Sequence, residues 1–213
     1  MRFDALVFDI DGTLWDSCEG VRDSWELSLR ERFGCGDAPT LGQVRSIMGL
    51  TPDEIAVKLF SAFGPRAREV FDLLSVDECA YLAVHGASVY PGVPAVLRAL
   101  AAERRLFIVS NCQAGYIEAF LASAGLEAQF EGHLCAGVTG LDKSGNLGEL
   151  IRAHGLSRPV YIGDTRGDEA AARARGCAFI HAAYGFGEAD APDAVLRDFY
   201  ELPAILRELE EKR

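Results

Sequence analysis

Short apolar runs alternate with helical patterns along most of the chain. Residues 5–8 (ALVF) form an uninterrupted apolar run. Similar runs recur at 106–109, 160–162 and 178–180, with a weaker one near 133–136. Such runs, bounded by polar residues, are typical of strands buried on both faces of a parallel sheet. Helical patterns between them cover residues 93–103, 116–124, 147–154 and 169–175. The alternation predicts a doubly wound α/β fold with about five parallel strands.

One long segment, residues 16–90, breaks this alternation. An apolar residue recurs there every four positions, at Val21, Trp25, Leu29 and Phe33. This spacing predicts an amphipathic helix. A Thr-Pro-Asp-Glu start signal at 51–54 and a further pattern over about 66–84 predict two more helices. We therefore predict a helical cap domain (16–90) inserted into a core domain made of residues 1–15 and 91–213.

The composition limits the classes of partner. The 213 residues include 32 acidic and 21 basic ones, which gives a net charge of −11. This balance disfavours binding to nucleic acid or to an anionic membrane surface. No apolar stretch approaches the roughly 18 residues of a membrane span, and aspartates at positions 4, 9 and 11 interrupt the region where a signal peptide would be apolar. We expect a cytoplasmic protein, as a monomer or homodimer, with no nucleic-acid or membrane partner.

Carboxylates follow the predicted strands at the points where the strands end. The first strand ends in Asp9-Ile10-Asp11-Gly12-Thr13, the second in Ser110-Asn111, and that at 160–162 in GDTRGD, which contains Asp164 and Asp168. Ligands of open α/β sheets bind beyond these strand ends. Carboxylates that share one crevice repel one another unless a cation lies between them. Mg²⁺ is the simplest such cation, because it prefers a few carboxylates together with waters and phosphate oxygens.

Four motifs in order resemble those of the haloacid dehalogenase superfamily of phosphohydrolases. They are FDIDGTLWDS, VSNCQ, the lysine at Lys143 and IGDTRGDEAAA. The helical insertion directly after the first motif resembles the cap of the phosphoglycolate phosphatase and β-phosphoglucomutase branch. The likeness covers residues 3–180, nearly the whole chain. It implies a Rossmann-like core with a helical cap, and a Mg²⁺-dependent phosphatase that acts on a small phosphorylated metabolite through an aspartyl-phosphate intermediate.

The resemblance implies three catalytic residues. Asp9 is expected to be the nucleophile and Asp11 the general acid that protonates the leaving alcohol and then the base that activates water. In an extended segment, side chains two residues apart point the same way, so both carboxylates can face one phosphoryl group. Lys143 is expected to neutralise charge on Asp9 and on the transferring oxygens. It is followed by Ser-Gly-Asn, where many relatives have proline.

The resemblance also implies the phosphate and metal contacts. The residues implied to bind the phosphate are Gly12 and Thr13, through backbone N–H groups, and Ser110 and Asn111. The residues implied to form the Mg²⁺ site are Asp9, the backbone carbonyl of Asp11, Asp164 and, through water or by supporting the ligands, Asp168. Arg45 and Gly49 fall where the substrate-facing loop of the cap lies in similar proteins, and both are expected to contact the substrate.

Two other functions stay open at this point. A sugar phosphomutase similar to β-phosphoglucomutase would return the phosphoryl group to a second hydroxyl, but the segment that begins at Ser17 lacks the histidine found nearby in such mutases. A non-catalytic binding or regulatory module would retain the fold with a broken catalytic set, whereas the aspartates and the lysine are all present here. Phosphoglycolate, a sugar phosphate and a nucleotide all remain candidate substrates.

Overall fold

A computed structural model describes residues 2–35 and 37–212. In its first part, the elements are β1 (Ala5–Phe8), β2 (Trp15–Asp16), α1 (Cys18–Phe33), α2 (Leu41–Arg45), α3 (Pro52–Phe60), α4 (Ala67–His85) and β3 (Ser88–Val89). The elements that follow are α5 (Val93–Ala101), β4 (Arg105–Ser110), α6 (Tyr116–Ala124), β5 (Gly132–Cys135), α7 (Ala136–Thr139) and α8 (Lys143–His154). The last are β6 (Pro159–Gly163), α9 (Arg166–Ala174), β7 (Ala178–Ala182), β8 (Ala194–Leu196) and α10 (Leu202–Lys212).

Six parallel strands form the main sheet, in the order β5-β4-β1-β6-β7-β8. The central strand β1 pairs with β4 on one side and with β6 on the other. The predicted doubly wound parallel sheet is confirmed. The sixth strand, β8, lies at the edge of the sheet and was not predicted.

Alternate residues of the central strand face two separate hydrophobic cores. Leu6 and Phe8 belong to one core, and Ala5 and Val7 to the other. All four are fully buried. This double burial explains the uninterrupted apolar run in the sequence, because a strand covered by helices on both faces has no solvent side.

The helices α1 to α4 form an insertion between β2 and β3, which we call the helical insertion (Cys18–His85). Its centre is aromatic: the ring of Trp25 packs edge-on against Phe60 at 5.4 Å and against Phe71 at 6.1 Å between ring centres. The helical pattern predicted for residues 16–90 does not extend to either end of that segment, where β2 pairs antiparallel with β3. The assignment of residues 16–90 to a separate domain stays a prediction, and Met1, Gly36 and Arg213 lie outside the described residues.

Helix starts position two of the predicted site residues. Helix α8 begins at Lys143 instead of residue 147, because the Asp142 carboxylate accepts a hydrogen bond from the Gly145 N–H at 2.6 Å and caps the helix there. Helix α9 begins at Arg166 after Thr165, whose side chain accepts from the Asp168 N–H. Both helix starts lie after strands at the carboxyl edge of the sheet, so Lys143 and Asp168 face the same crevice.

Candidate active site

The carboxyl ends of β1, β4 and β6 meet beneath the helical insertion. A cavity of about 40 Å³ lies there, lined by residues of the sheet loops and of the insertion together. The predicted site residues that line it are Asp9, Asp11, Ser110, Asn111 and Gly49. A cavity that holds one bound water has a volume of roughly 10–15 Å³ on this scale. The cavity therefore has room for only a few groups of that size.

Lys143 joins two of the aspartates. Its ammonium lies 3.0 Å from Asp9 Oδ1 and 2.5 Å from Asp168 Oδ1, and all three side chains are buried. Burial lowers the pKa of Lys143, but the charges of Asp168 and Asp9 outweigh it and hold that pKa well above its usual value. The lysine is therefore charged, and it compensates part of the negative charge around Asp9.

Asp11 is held through one of its two oxygens. Oδ1 lies within hydrogen-bond distance of three donors: Trp15 Nε1 at 2.9 Å, Ser17 Oγ at 2.6 Å and the Tyr116 hydroxyl at 2.7 Å. Burial raises the pKa of Asp11, and the hydrogen bonds from Ser17, Tyr116 and Trp15 act against that rise. Because these donors all reach Oδ1, the carboxyl group keeps a fixed orientation, which is the condition for directed proton transfer.

In the turn after β1, two backbone N–H groups form hydrogen bonds within the turn itself. Gly12 N–H donates to the Trp15 carbonyl at 3.0 Å, and Thr13 N–H donates to the Ile10 carbonyl at 3.1 Å. Both N–H groups therefore already donate within the turn, and the expectation that they bind phosphate stays a prediction. Gly12 has another role: its φ is +78°, and a Cβ there would lie 2.1 Å from Asp164 Oδ2. Only glycine lets the turn approach Asp164 so closely.

A group of carboxylates could hold a metal ion. Asp9, Asp164 and Asp168 each have an oxygen within 4.8 Å of the others, and all three side chains are buried. Asp164 Oδ2 accepts the Phe186 N–H at 2.7 Å, whereas Asp164 Oδ1 is buried without a hydrogen-bond partner. Such an unpartnered carboxylate oxygen, close to Asp9, fits a hard divalent cation such as Mg²⁺.

Asp168 has a different environment from Asp164. Its Oδ2 accepts the N–H groups of Asp164 at 3.1 Å and Thr165 at 2.9 Å and the Thr165 hydroxyl at 2.7 Å, while Oδ1 accepts from Lys143. Both oxygens are therefore occupied by protein donors. Asp168 shapes the loop that carries Asp164, and the supporting role at the metal that the resemblance implies stays a prediction.

Burial dominates the titration of Asp9 and Asp164 when no cation is bound. It raises the pKa of Asp9 to about 7, against the opposing charge of Lys143. Burial, together with the charges of Asp168 and Asp9, raises the pKa of Asp164 to about 8. A bound cation would favour the ionised form of both groups.

The loop after β4 links the sheet to the helical insertion. Asn111 Nδ2 donates to the Gly49 carbonyl at 3.0 Å, and Asn111 Oδ1 is buried without a partner. Ser110 is buried at the cavity edge. Gly49 thus reaches the site through its backbone carbonyl, and Asn111 contacts both the insertion and the cavity.

Arg45 does not line this cavity. It ends the short helix α2, in which Val44 is the buried residue, and its side chain is 54% exposed and lies 3.6 Å from Asp16 Oδ2 in a separate groove. The structure places Arg45 outside the cavity that Asp9 and Asp11 line, and its contact with the substrate stays a prediction. A helix that buries Val44 turns its neighbour Arg45 away from the interior.

Sequence reasoning missed four residues of the cavity wall: Trp25, Glu78, Gln113 and Tyr116. The position of Glu78 could have been predicted from the sequence. It lies four residues after Leu74 and four before Leu82, and both leucines are buried. An acidic residue within an apolar helical stripe faces the interior and needs partners there. Trp25 belongs to the apolar pattern that predicted α1. It packs against other aromatic rings inside the helical insertion and also lines the cavity.

The sequence model of the haloacid dehalogenase-like hydrolase family matches residues 6–182. The chain belongs to this family. It is 30% identical to the phosphoglycolate phosphatase of Rhodospirillum rubrum over 198 residues, which cover 85% of this chain and 80% of that protein. It is also 27% identical to a 5'-nucleotidase of Pseudomonas aeruginosa, over 89% of this chain and 87% of that one.

A solved structure of CbbY from Rhodobacter sphaeroides, with xylulose-(1,5)bisphosphate, has the same fold as this haloacid dehalogenase-like hydrolase. The TM-score is 0.82 at 19% identity, over 96% of this chain and 99% of that one. Family membership and the curated relatives make the chain an enzyme, a phosphoric monoester hydrolase. This disfavours the non-catalytic alternative.

The location and partners are less constrained. Among the helices of residues 2–35 and 37–212, none has the length and apolar character required of a membrane span. The cytoplasmic location, the absence of nucleic-acid and membrane partners, and the monomeric or dimeric state stay predictions.

Proposed function

We propose that this enzyme hydrolyses a small phosphomonoester in a Mg²⁺-dependent reaction through an aspartyl-phosphate on Asp9. The observation that carries the proposal is the pairing of two unlike carboxyl groups in one cavity. Asp9 is paired with the charged Lys143, which favours an ionised nucleophile, and Asp11 is held by three donors at one oxygen.

In the first half of the reaction, a carboxylate oxygen of Asp9 attacks phosphorus and the bond to the leaving oxygen breaks. Asp11 gives its proton to that oxygen, so the alcohol leaves neutral. The raised pKa of Asp11 suits this role, because burial keeps a proton available. Ser110 and Asn111 hydrogen-bond the phosphoryl oxygens, and Lys143 balances part of their charge.

In the second half, Asp11 is ionised and takes a proton from water as that water attacks phosphorus. The bond to Asp9 breaks, which releases phosphate and restores the carboxylate. Asp9, the backbone carbonyl of Asp11, and Asp164 would hold Mg²⁺, while Asp168 fixes the loop of Asp164. When bound, Mg²⁺ supplies positive charge that favours ionised Asp9 and offsets charge on the phosphoryl group.

The small volume of the cavity supports a small leaving alcohol. The helical insertion contributes Trp25, Gly49 and Glu78 to the walls, so it surrounds the organic part of the substrate. We infer that the insertion acts as a cap that limits substrate size and keeps bulk water from the reacting phosphorus.

Hydrolysis of p-nitrophenyl phosphate with Mg²⁺ tests the proposal. We expect release of phosphate by the wild type, a loss of at least about a thousandfold in Asp9→Asn, and loss of activity on chelation of the metal. Asp53→Asn, which alters an exposed aspartate of α3, is the matched control and should retain full activity. Equal rates in Asp9→Asn and the wild type would refute the mechanism. With a sugar phosphate, an isomerised product without free phosphate would indicate the mutase.

A further inference from the structure

Glu78 is a buried carboxylate that the proposed chemistry does not use. It lies on α4 of the helical insertion, is 3% exposed, and lines the same cavity as Asp9 and Asp11. A carboxylate is rarely buried without a role or a partner. Its place on the insertion, away from the strand ends, puts it where the organic part of a substrate would lie.

Two N–H donors orient the Glu78 carboxylate. Trp25 Nε1 lies 2.5 Å from Oε2, and Gln113 Nε2 lies 2.8 Å from Oε1. Both oxygens accept an N–H, and each keeps a second lone pair for a further donor. Burial raises the pKa of Glu78 to about 8, so the group is an ionised acceptor above that pH. These hydrogen bonds use the single N–H of the Trp25 ring and one of the two N–H donors of Gln113, whose amide nitrogen also lies 4.0 Å from Cys79 Sγ.

The rest of the cavity wall gives a ligand no positive charge. Among the described residues that line it, three are carboxylates and none is Lys, Arg or His. Lys143 is occupied by Asp9 and Asp168, and Arg45 lies in another groove. The insertion's part of the wall is otherwise mostly apolar: Val21, Ile47, Met48, Leu50, Ile55 and Phe71.

We propose that Glu78 determines which alcohol this phosphatase releases: it accepts a hydrogen bond from a hydroxyl or ammonium group on the leaving alcohol and excludes alcohols that carry a carboxylate. This rests on the proposed function. A substrate carboxylate beside ionised Glu78 would bring two like charges together where none of the described lining residues is Lys, Arg or His. The preference would separate this chain from its relatives named phosphoglycolate phosphatase, whose named substrate carries a carboxylate.

Four esters of similar size test this preference without any mutation: 2-hydroxyethyl phosphate, 2-aminoethyl phosphate, ethyl phosphate and 2-phosphoglycolate. At about pH 9, where Glu78 is ionised, we expect kcat/KM for the hydroxyl or the ammonium ester to exceed that for phosphoglycolate by roughly tenfold or more, with ethyl phosphate between them. Comparison of the 2-hydroxyethyl ester with the 2-aminoethyl ester shows whether Glu78 prefers a neutral hydroxyl donor or a cation. A preference for phosphoglycolate would overturn the proposal, because Glu78 would then be protonated and donating.

The variant Glu78→Gln tests the residue itself, since it keeps the shape and removes the charge. We expect the ratio of kcat/KM for the 2-aminoethyl ester over phosphoglycolate to fall by about tenfold or more. The control is Asp77→Asn, on the neighbouring residue that contacts Ser28 and Arg32 outside the cavity, and it should keep the wild-type ratio. An unchanged ratio in Glu78→Gln, with thermal melting that shows a folded protein, would overturn the proposal.

Calorimetric binding of the same four esters to Asp9→Asn separates this inference from the proposed function. If no ester is hydrolysed in an Asp9-dependent way, the proposed function fails. The order of binding affinities then still decides the role of Glu78: tighter binding of the hydroxyl or ammonium ester supports it, and tighter or equal binding of phosphoglycolate overturns it.

Discussion

The Tyr116 hydroxyl lies 2.7 Å from Asp11 Oδ1. The two residues are 105 positions apart in the chain: Asp11 follows β1, and Tyr116 opens α6 after β4. The hydroxyl is also 2.7 Å from Ser17 Oγ, which itself contacts Asp11. The orientation of the proposed general acid and base therefore depends on a side chain from outside the first motif.

Tyr116→Phe tests this dependence. Removal of the hydroxyl leaves Asp11 with the Trp15 and Ser17 donors, so we expect kcat to fall by roughly tenfold, the value of one hydrogen bond to a charged group, with little change in KM. Steady-state hydrolysis of p-nitrophenyl phosphate measures it. Tyr200→Phe, at an exposed tyrosine, is the control. An unaltered kcat would mean that Tyr116 has no part in positioning Asp11.

Asp164→Asn tests the proposed metal ligand. The free Asp164 Oδ1 is the oxygen best placed to bind Mg²⁺, so we expect the Mg²⁺ concentration for half-maximal activity to rise by at least about tenfold. Asp142→Asn is a matched control, because asparagine also caps helices well and Asp142 lies outside the acidic group. If both variants show the wild-type Mg²⁺ requirement, Asp164 is not a ligand.

The pH dependence of folding stability should report on Glu78. Burial raises the pKa of Glu78 from 4.5 to about 8. Between these values the folded protein holds a proton that the unfolded chain has lost, so this residue's contribution to the free energy of unfolding declines as pH rises from about 4.5 to 8. In Glu78→Gln, we expect the free energy of unfolding to decline less over this pH range. The expected difference from the wild type is on the order of a few kcal/mol.

Urea denaturation at pH 5 and pH 8, with a chelator present, measures this difference. Glu211→Gln, at an exposed position of α10, should follow the wild type at both values. Parallel curves for Glu78→Gln and the wild type would show that the pKa of Glu78 is ordinary.

Lys143→Met should destabilise the metal-free protein. It removes the only charge that faces both Asp9 and Asp168 among the described ion pairs. Loss of one partner from a buried ion pair costs about 3–5 kcal/mol, because the remaining charge is uncompensated. Chemical denaturation at pH 8 in chelator measures the loss, with Lys212→Met as the exposed control. A loss below about 1 kcal/mol would contradict the prediction, since surface pairs contribute that little.

The parts of the site that could be predicted from the sequence are those carried by local pattern. Asp9 and Asp11 follow a wholly apolar strand, and their place at the sheet edge follows from that strand alone. Tyr116 and Glu78 become neighbours of this edge only through packing between distant elements. The direction of the Arg45 side chain could not be predicted for a related reason: α2 has five residues, too few for a periodic pattern to indicate which side faces inward.

The fold shows the same division between local and distant information. The strand Ala5–Phe8 and the helix Tyr116–Ala124 have the bounds that the sequence predicted. Helix α8 was predicted four residues short, because its first turn, from Lys143 to Asn146, has no apolar residue to mark it. The β2–β3 pair was missed because two-residue strands 70 positions apart carry no sequence pattern of their own.

The β2–β3 pair also affects how the protein could evolve. Asp16 and Ser88 are direct partners in the antiparallel ladder, so their Cα atoms are roughly 5 Å apart. Two backbone ends this close can be joined by a two-residue turn. Recombination at this point could therefore exchange everything between them as one cassette, replacing Ser17, Trp25 and Glu78 while Asp9 and Lys143 keep their places. New selectivity could then arise on an inherited reaction centre.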